Sequence, residues 1–319
     1  MRHVPIPWRT GWAVLGLVLW LVIGCGKDRV TGPPPPPQLT SPRIAFISDR
    51  SGTQGIYLLD PSTRNVVGLT PPGVYDADPA ISPDGRRIAF ATPVGAVNRL
   101  MTMAVDGTNR VLCGANAQFG ASQPHWSPDG KRIVFTGTSY ATGAANVYTI
   151  LATGDSLLAL TSNGVSHAFA WSPDGSRILY VSRRAPDASY AFPIDTLRDV
   201  TPDGTTVRTL LVLALDFIGA DYSPDGSHIV FDYWDFSRGF SIEICDEDGA
   251  SRVVAARGNP DLEGLSAPSW SPDGAAIVFS AHLSGLSGDL YTATPTPGDP
   301  QLFLAGTAAD MTPNWGPRP

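Results

Sequence analysis

The tetrapeptide Ser-Pro-Asp-Gly occupies residues 82–85 and returns at 127–130, 172–175, 223–226 and 271–274. A catalytic motif is expected once for each active site, so five copies point to architecture. Proline at the second position presets φ for a type I turn, and glycine at the fourth accepts a positive φ. Short β-branched or aromatic segments flank the copies, such as HWS before and RIVF after the second. Each copy is therefore predicted to be the tip of a β-hairpin.

The spacing of the copies predicts the fold. Successive copies start 45, 45, 51 and 48 residues apart. Repeats of about 40 to 50 residues that hold about four strands are typical of propeller blades. One full period, residues 124–161, reads PHWSPDGKRIVFTGTSYATGAANVYTILATGDSLLALT and contains four apolar segments separated by turn-forming residues. This period is predicted to form one blade.

The number of blades follows from both ends of the repeat region. Six second-strand cores are visible, at Ile44–Phe46, Ile88–Phe90, Ile133–Phe135, Ile178–Tyr180, Ile229–Phe231 and Ile277–Phe279. The first core has no WSPDG before it, whereas TPNWGP at 312–317 imitates QPHWSP and stops before a second strand. A C-terminal strand would complete the first blade and close the ring. We therefore predict an all-β, six-bladed β-propeller over residues 43–319.

The repeat also resembles a known family. The pattern P-x-W-S-P-D-G-x-x-I-x-F, followed by IYLLD, VYTIL or LYTAT and a closing LT, is similar to the WD-repeat-like propeller repeats of the TolB type. The resemblance covers roughly residues 43–319 and only the propeller half of TolB, because the segment before Arg43 is too short for TolB's N-terminal α/β domain. It implies an envelope-associated scaffold.

The N-terminal residues have the pattern of an export signal. Arg2 and Arg9 flank the start, residues 11–24 form an apolar run of 14 residues, and VIGC ends at Cys25. The run is short for a membrane span. VIGC resembles the lipobox of bacterial lipoproteins, which implies cleavage after residue 24 and acylation of Cys25. An uncleaved anchor and an ordinary signal peptide that contains a cysteine are the alternatives.

A proline-rich stretch joins this signal to the repeats. Residues 25–42 include five consecutive prolines and are predicted to be an extended, stiff linker after the lipid-attached cysteine. The expected location is the cell envelope, with the protein anchored in a membrane on the outer-membrane or periplasmic side.

Amino-acid composition and net charge limit the classes of molecule that the protein is expected to bind. Hydrophobic residues make up 43% of the chain and charged residues 16%, which suits a β-rich packed protein. Cleavage after residue 24 removes two arginines and no acid, so the formal charge moves from −7 to −9. Nucleic acid is therefore not an expected partner. The protein is expected to contact the membrane through the lipid attached to Cys25. The propeller is expected to be a monomer. Cys113 and Cys245 fall in distant repeats and are predicted to be buried free thiols.

The sequence carries no recognised catalytic motif. G-x-S-x-G, H-E-x-x-H, C-x-x-C and P-loop patterns are absent, and the five histidines show no metal-ligand spacing. No catalytic residue, metal or cofactor is predicted. The aspartates of the five turns suggest an ion-binding ring or, as we favour, turn residues that accept backbone hydrogen bonds.

Recognition residues are sought on the face opposite the turns, where loops lead into the innermost strands. There the sequence offers Asp76, Asp78, His125, His167, Asp221 and Asp310 as candidate ligand-binding residues, with Gln123 and Asn314 beside them. Converging acids would prefer a cation or a basic peptide segment. The alternative is that these groups only solvate a water-filled channel.

A second candidate surface comes from the longest period. The insertion RRAPDASYAFPID lies between two strands of the third repeat that carries the tetrapeptide, and DYWDFSRGFS occupies the next repeat. Arginine and aromatic residues are enriched in protein recognition patches. The candidates are Arg183, Arg184, Tyr190, Phe192, Trp234, Phe236 and Arg238, with packing of the rings under their own loops as the alternative.

Two functions follow from the sequence. The first is a membrane-tethered envelope lipoprotein whose propeller binds a protein, peptide or glycan. The second is a hydrolase or lyase that acts on an envelope or extracellular polymer with a site at the channel mouth. The sequence favours binding over catalysis, because the candidate residues show no catalytic spacing.

Overall fold

The chain is all-β in the part that the structure describes. The computed structural model describes residues 37–114, 119–184, 194–214, 219–235, 237–283 and 286–317. Within these ranges, 24 strands form six four-stranded antiparallel sheets. The predicted signal peptide, Cys25 and most of the linker lie outside the described residues.

The sheets are numbered as blades 1 to 6, each given from its innermost strand outward. Blade 1 contains β24 (Asp310–Gly316), β1 (Arg43–Ser48), β2 (Gly55–Leu59) and β3 (Val66–Gly68). Blade 2 contains β4 (Ala77–Ile81), β5 (Arg87–Val94), β6 (Val97–Ala104) and β7 (Val111–Leu112); blade 3 contains β8 (Phe119–Trp126), β9 (Arg132–Ser139), β10 (Ala145–Leu151) and β11 (Leu158–Ala159). Blade 4 contains β12 (Ser166–Trp171), β13 (Ile178–Arg184), β14 (Ile194–Val200) and β15 (Val207–Ala214); blade 5 contains β16 (Ala220–Tyr222), β17 (His228–Asp235), β18 (Gly239–Asp246) and β19 (Val253–Arg257). Blade 6 contains β20 (Leu262–Trp270), β21 (Ile277–Leu283), β22 (Gly288–Ala293) and β23 (Gln301–Leu304).

The repeated tetrapeptides form the predicted hairpin tips between first and second strands. In the third copy, the Ser172 hydroxyl donates to Asp174 Oδ1 at 2.6 Å, the Ser176 N–H donates to the same oxygen at 2.9 Å, and Gly175 has φ 72°. The other copies repeat this geometry. These hydrogen bonds stabilise the carboxylate and lower the pKa of Asp174. The aspartates are therefore turn residues, as predicted, and the face that carries the turns is called the turn face.

The predicted ring closure is confirmed. Strand β24 pairs antiparallel with β1, with Trp315 opposite Ile44 and Asn314 opposite Ala45. Trp315 packs in a cluster that includes Phe46 of blade 1 and Val278 of blade 6. The last strand of the sequence therefore completes the first blade and contacts the last one.

The core lies between neighbouring blades. Second strands contribute its most buried side chains, because Phe46, Phe90, Phe231 and Phe279 are all 0% exposed. Arginines lie over some of these rings; the Arg110 guanidinium carbon, for example, is 4.5 Å from the centre of the Phe90 ring. In such stacking the guanidinium covers the aromatic ring at the edge of the apolar layer and keeps the ring out of solvent.

The described chain begins with a short latch on the turn face, formed by Gln38 and Leu39. The Leu39 N–H donates to the Gly85 carbonyl at 2.8 Å, and the Gln38 side-chain amide donates to the Asp84 carbonyl at 2.9 Å. Leu39 also packs against the core cluster between blades 1 and 2. A Cβ placed on Gly85 would lie 3.3 Å from both Leu39 and Pro317, so the two ends of the described chain meet at one turn.

Blade 4 extends beyond the repeat pattern. Its third and fourth strands are joined by Thr201-Pro-Asp-Gly, in which the Thr201 hydroxyl donates to Asp203 Oδ1 at 2.5 Å. This turn copies the repeated motif with threonine in place of serine, at a position between the outer strands that sequence analysis did not single out. The inserted residues 185–193 lie outside the described residues.

Cys113 and Cys245 are buried free thiols, as predicted. Burial raises their pKa values to about 11 and about 12, respectively. No helix in the described ranges has the length and apolar character needed to cross a membrane.

Candidate functional site: the channel and the open face

Four of the six innermost strands share a bulge that shapes the central channel. Asp78, Gln123, Ala267 and Thr312 have φ between 47° and 53°, and each precedes a proline. Non-glycine residues rarely adopt this left-handed conformation, so the neighbouring structure must hold it in place. Each bulge is accompanied by a shift in the register of the pairing with the second strand. The bulge re-aims the following side chains.

Three of these bulges are held by hydrogen bonds that their own N–H groups donate to side chains of the preceding blade. The Gln123 N–H donates to Asp78 Oδ2 at 3.0 Å, and the Ala267 N–H donates to Asp232 Oδ2 at 2.8 Å. The Thr312 N–H donates to the Ser280 hydroxyl at 3.0 Å. The blades are therefore joined around the channel by polar contacts as well as by the apolar layers.

The face opposite the turn face is called the open face; it carries the hairpins between second and third strands and the connections between blades. The channel end at this face is a cavity of about 100 Å³. Neither lysine nor arginine is among its described lining residues. Five of the residues predicted near the channel mouth line it, namely Asp78, Gln123, His125, Asp221 and Asn314.

The two channel carboxylates differ in their surroundings. Desolvation by burial raises the pKa of Asp78, and the hydrogen bond from the Gln123 N–H opposes this shift. Asp221 Oδ2 accepts the Trp270 N–H at 3.1 Å and the Ser269 hydroxyl at 3.2 Å. Asp221 therefore joins blades 5 and 6 in addition to lining the channel.

Asp76 and Asp310 lie in buried ion pairs, although the sequence placed them with the channel residues. Asp76 accepts two hydrogen bonds from Arg110, at 2.6 and 2.8 Å, and Asp310 accepts two from Arg50, both at 2.8 Å. Both carboxylates are 0% exposed. The pairs join the inner strands to outer parts of their own blades, and neither acid lines the channel cavities.

His167 also lies away from the channel lining. Burial lowers its pKa, and the nearby Arg183 charge lowers it further, while Asp195 opposes the shift. Arg183 itself makes a bidentate pair with Asp195, at 2.9 and 2.8 Å. In the described ranges, no three His, Cys, Asp or Glu side chains are grouped to hold a metal ion.

The predicted arginine and aromatic rim is described only in part. Arg183 and Arg184 end β13, and Arg238 is exposed in the hairpin between β17 and β18. Trp234 is half-buried, with its ring centre 6.1 Å from that of Phe240 in the same hairpin. Tyr190, Phe192 and Phe236 lie outside the described residues. The role of this rim in recognition stays a prediction.

The open face exposes apolar side chains that sequence analysis missed. They come from five blades, namely blades 2, 3, 4 and 6 and the start of β24 in blade 1: Tyr75 (54% exposed), Val94 (53%), Tyr140 (47%), Val165 (41%), Leu283 (39%), Leu286 (64%) and Met311 (37%). Aligning the hairpins between second and third strands would have given a signal, because those of blades 2, 3 and 6 carry Val94, Tyr140 and Leu286, whereas residues 49–54 of blade 1 are all polar or glycine. Apolar groups clustered on one face of a protein typically mark an interaction surface.

The fold and the site define a closed six-bladed β-propeller with a narrow acidic channel and an apolar open face. No family model matches the chain, and no curated protein matches it. Its propeller fold is that of TolB. The chain is similar to the crystal structure of TolB from Acinetobacter baumannii, with TM-score 0.71 and 18% identity, and the similar region covers 86% of this chain and 66% of the TolB chain.

Two other solved structures share the fold. A chain from the nidogen/laminin complex has TM-score 0.66 and 10% identity, over 88% of this chain and 100% of that chain. Oligogalacturonate lyase from Vibrio parahaemolyticus has TM-score 0.51 and 14% identity, over 79% of this chain and 86% of that chain. At these identities the likeness concerns the fold alone.

Proposed function

We propose that this protein is a membrane-tethered envelope lipoprotein whose propeller binds a protein, peptide or glycan at the open face. The observation that carries the proposal is the set of exposed apolar residues on that face, led by Leu286, Tyr75 and Val94. A rigid ring with an apolar surface suits recognition, because little conformational entropy is lost when a preformed surface binds.

The channel adds a chemical preference to this surface. Asp78 and Asp221 line the open-face end of the channel, and neither lysine nor arginine is among the described residues that line it. A partner that covers the open face would therefore gain by placing a basic residue over the channel mouth. The arginine and aromatic rim around Arg238 and Trp234 would extend the same surface.

The lipid anchor is a separate part of the proposal. It rests on the VIGC sequence that ends at Cys25 and on the charged and apolar segments before it. Two signals are needed for stable membrane attachment, which a multiply acylated cysteine would supply. Cys25→Ser should release the protein into the soluble fraction or leave the precursor uncleaved. A mature Cys25→Ser protein that still needs detergent for extraction would contradict the anchor.

Capture from solubilised envelopes tests the binding surface. Tyr75→Asp combined with Leu286→Asp should lower capture at least tenfold, because hot-spot substitutions cost about 2 kcal/mol or more. Val111→Lys is the matched control, because Val111 is 58% exposed on the outer strand of blade 2, away from the open face. Equal capture by the wild type and the Tyr75/Leu286 variant would refute the open face as the binding surface.

The second candidate function is a polymer hydrolase or lyase, favoured by the fold shared with oligogalacturonate lyase. Its site would use the channel residues Asp78, His125 and Asp221. Cleavage of oligogalacturonate by the purified protein, followed by the ultraviolet absorbance of the unsaturated product, tests the lyase. Turnover that Asp78→Asn abolishes would favour this function over binding alone.

A further inference from the structure

The outer strand of blade 4 is unusually long for this propeller. Strand β15 has 8 residues, whereas β3, β7, β11, β19 and β23 have 2 to 5. Its inner side pairs with β14 from Val207 opposite Val200 to Ala214 opposite Ile194, with one bulge. No described strand pairs with its outer side. An edge of this length presents unpaired backbone groups over roughly 25 Å.

This edge has little of the usual protection against strand addition, namely one bulge and one inward-pointing charged side chain. Natural sheets guard edges with lysine, proline, bulges that turn the edge away, or very short strands. From 205 to 214 the sequence reads TTVRTLLVLA, with one charged residue, Arg208, and no proline. Arg208 points inward, because its Nε donates to Asp199 Oδ2 at 3.0 Å. The single bulge interrupts the inner pairing and leaves most of the strand regular.

The exposed side chains of the edge suit a cross-strand partner. Val207, Thr209 and Val212 stand opposite alternate residues of β14, which places them on the same side of the sheet. Val207 is 45% and Val212 61% exposed. β-branched residues are favoured in cross-strand pairs. The strip is therefore apolar, β-branched and accessible from outside the ring.

Blade 5 holds the strand in place from behind. A Cβ on Gly249 would clash with the Leu210 carbonyl oxygen, so the turn between β18 and β19 lies directly against β15. A strand fixed in this way is a preformed template, and a partner would not have to order it on binding.

We propose that the outer edge of β15 binds an extended segment of another protein by β-strand addition. The segment would have an uncharged, β-branched core and a basic residue at the end nearest the turn face. The charge follows from Asp203, Glu247 and Asp248, which are exposed around the start of β15. Hydrogen bonds from Thr201 and Thr205 lower the pKa of Asp203 to about 2, so this carboxylate is ionised at neutral pH.

The size of the edge favours a flexible segment over a second copy of this chain. Two rigid propellers that meet edge to edge would bury only one strand pair, well below the roughly 1,200 Å² of a stable protein interface. An extended segment obtains its affinity from main-chain hydrogen bonds and side-chain contacts on alternate residues. The proposal is independent of the open face, which lies at the end of this strand.

A synthetic peptide tests the proposal. The probe is a fluorescent octapeptide of alternating threonine and valine with two added lysines at one end, measured by fluorescence polarisation against the full-length protein. Val207→Lys combined with Val212→Lys should weaken its binding at least tenfold, because lysines guard an edge. Val67→Lys combined with Val111→Lys is the matched control, because these valines are 50% and 58% exposed on outer strands of 3 and 2 residues. Glutamates in place of the peptide's lysines should weaken binding as well.

Two further measurements make the result decisive. Hydrogen exchange at 207–214 should slow when the peptide binds, and a peptide with alternate backbone nitrogens methylated should not bind the wild type. No binding by the wild type, or equal loss in both double variants, would overturn the proposal. A concentration-dependent dimer that only the Val207/Val212 variant abolishes would also overturn it, because a second copy would then occupy the edge.

Discussion

Removal of β24 tests how far the stability of the ring depends on its closure. A protein that ends at residue 309 lacks the strand that pairs with β1 from Arg43 to Ser48. It also loses the buried Asp310 carboxylate that binds Arg50 and the Trp315 ring between blades 1 and 6. The milder substitution Trp315→Ala keeps the strand and removes only the ring.

The structure gives a size for both changes. Trp315 is 9% exposed, and replacing a buried tryptophan with alanine costs about 3–5 kcal/mol. For a domain of this size, about 1 kcal/mol lowers Tm by about 2 °C, so Trp315→Ala should lower Tm by roughly 6–10 °C. The deletion also removes a ladder of hydrogen bonds worth about 1 kcal/mol each. The total approaches the whole stability of a typical domain, about 5–15 kcal/mol, so the truncated protein should not unfold cooperatively.

Calorimetry and circular dichroism measure these effects, with Leu302→Ala as the control. Leu302 is 53% exposed on an outer strand, so its loss should lower Tm by about 1 °C. A synthetic peptide of residues 308–319 added to the truncated protein should restore a cooperative transition by supplying the missing strand. If the truncated protein melts at the wild-type temperature, or if Trp315→Ala has no larger effect than Leu302→Ala, the closure argument is wrong.

Three further predictions concern single sites. Gly249→Ala should destabilise the protein more than Gly143→Ala in urea unfolding, because both glycines have positive φ but only a Cβ at Gly249 meets the backbone of a neighbouring strand. The pKa of Asp225 is lowered to about 2, mainly by the hydrogen bond from the Ser223 hydroxyl of its turn. The ionised carboxylate therefore stabilises the fold above the unfolded pKa of about 3.9, and this stabilisation is lost as pH falls towards 2. Asp225→Asn should consequently lose less stability than the wild type between pH 5 and 2. Cys113 and Cys245 should resist thiol reagents at pH 8 in the native state and react in denaturant, because burial raises both pKa values.

The sequence predicted the architecture well because the decisive information is local and repeated. Each turn combines proline, aspartate and glycine in an order that only one hairpin conformation satisfies. The closure was also predictable, because residues 312–317 repeat the approach to a turn without the strand that should follow.

The site was harder to predict because its chemistry depends on contacts distant in sequence. Asp76 and Arg110 are 34 residues apart, and Asp310 and Arg50 are 260 apart. Nothing in the local sequence distinguishes these buried acids from Asp78, which does line the channel. The exposed edge of β15 depends on how many residues pair with β14, which a pattern of apolar residues cannot give.

The latch on the turn face determines how mechanical force would enter the protein. A pull on the chain upstream of Gln38 would act first on the hydrogen bonds from Gln38 and Leu39 to residues 84 and 85, and only afterwards on β1. Because Pro317 packs at the same turn, that load would be shared by the C-terminal end of the ring and would not peel β24 from blade 1 directly. The same proximity makes the two ends suitable for joining by a short linker, with new ends opened in a hairpin of the open face.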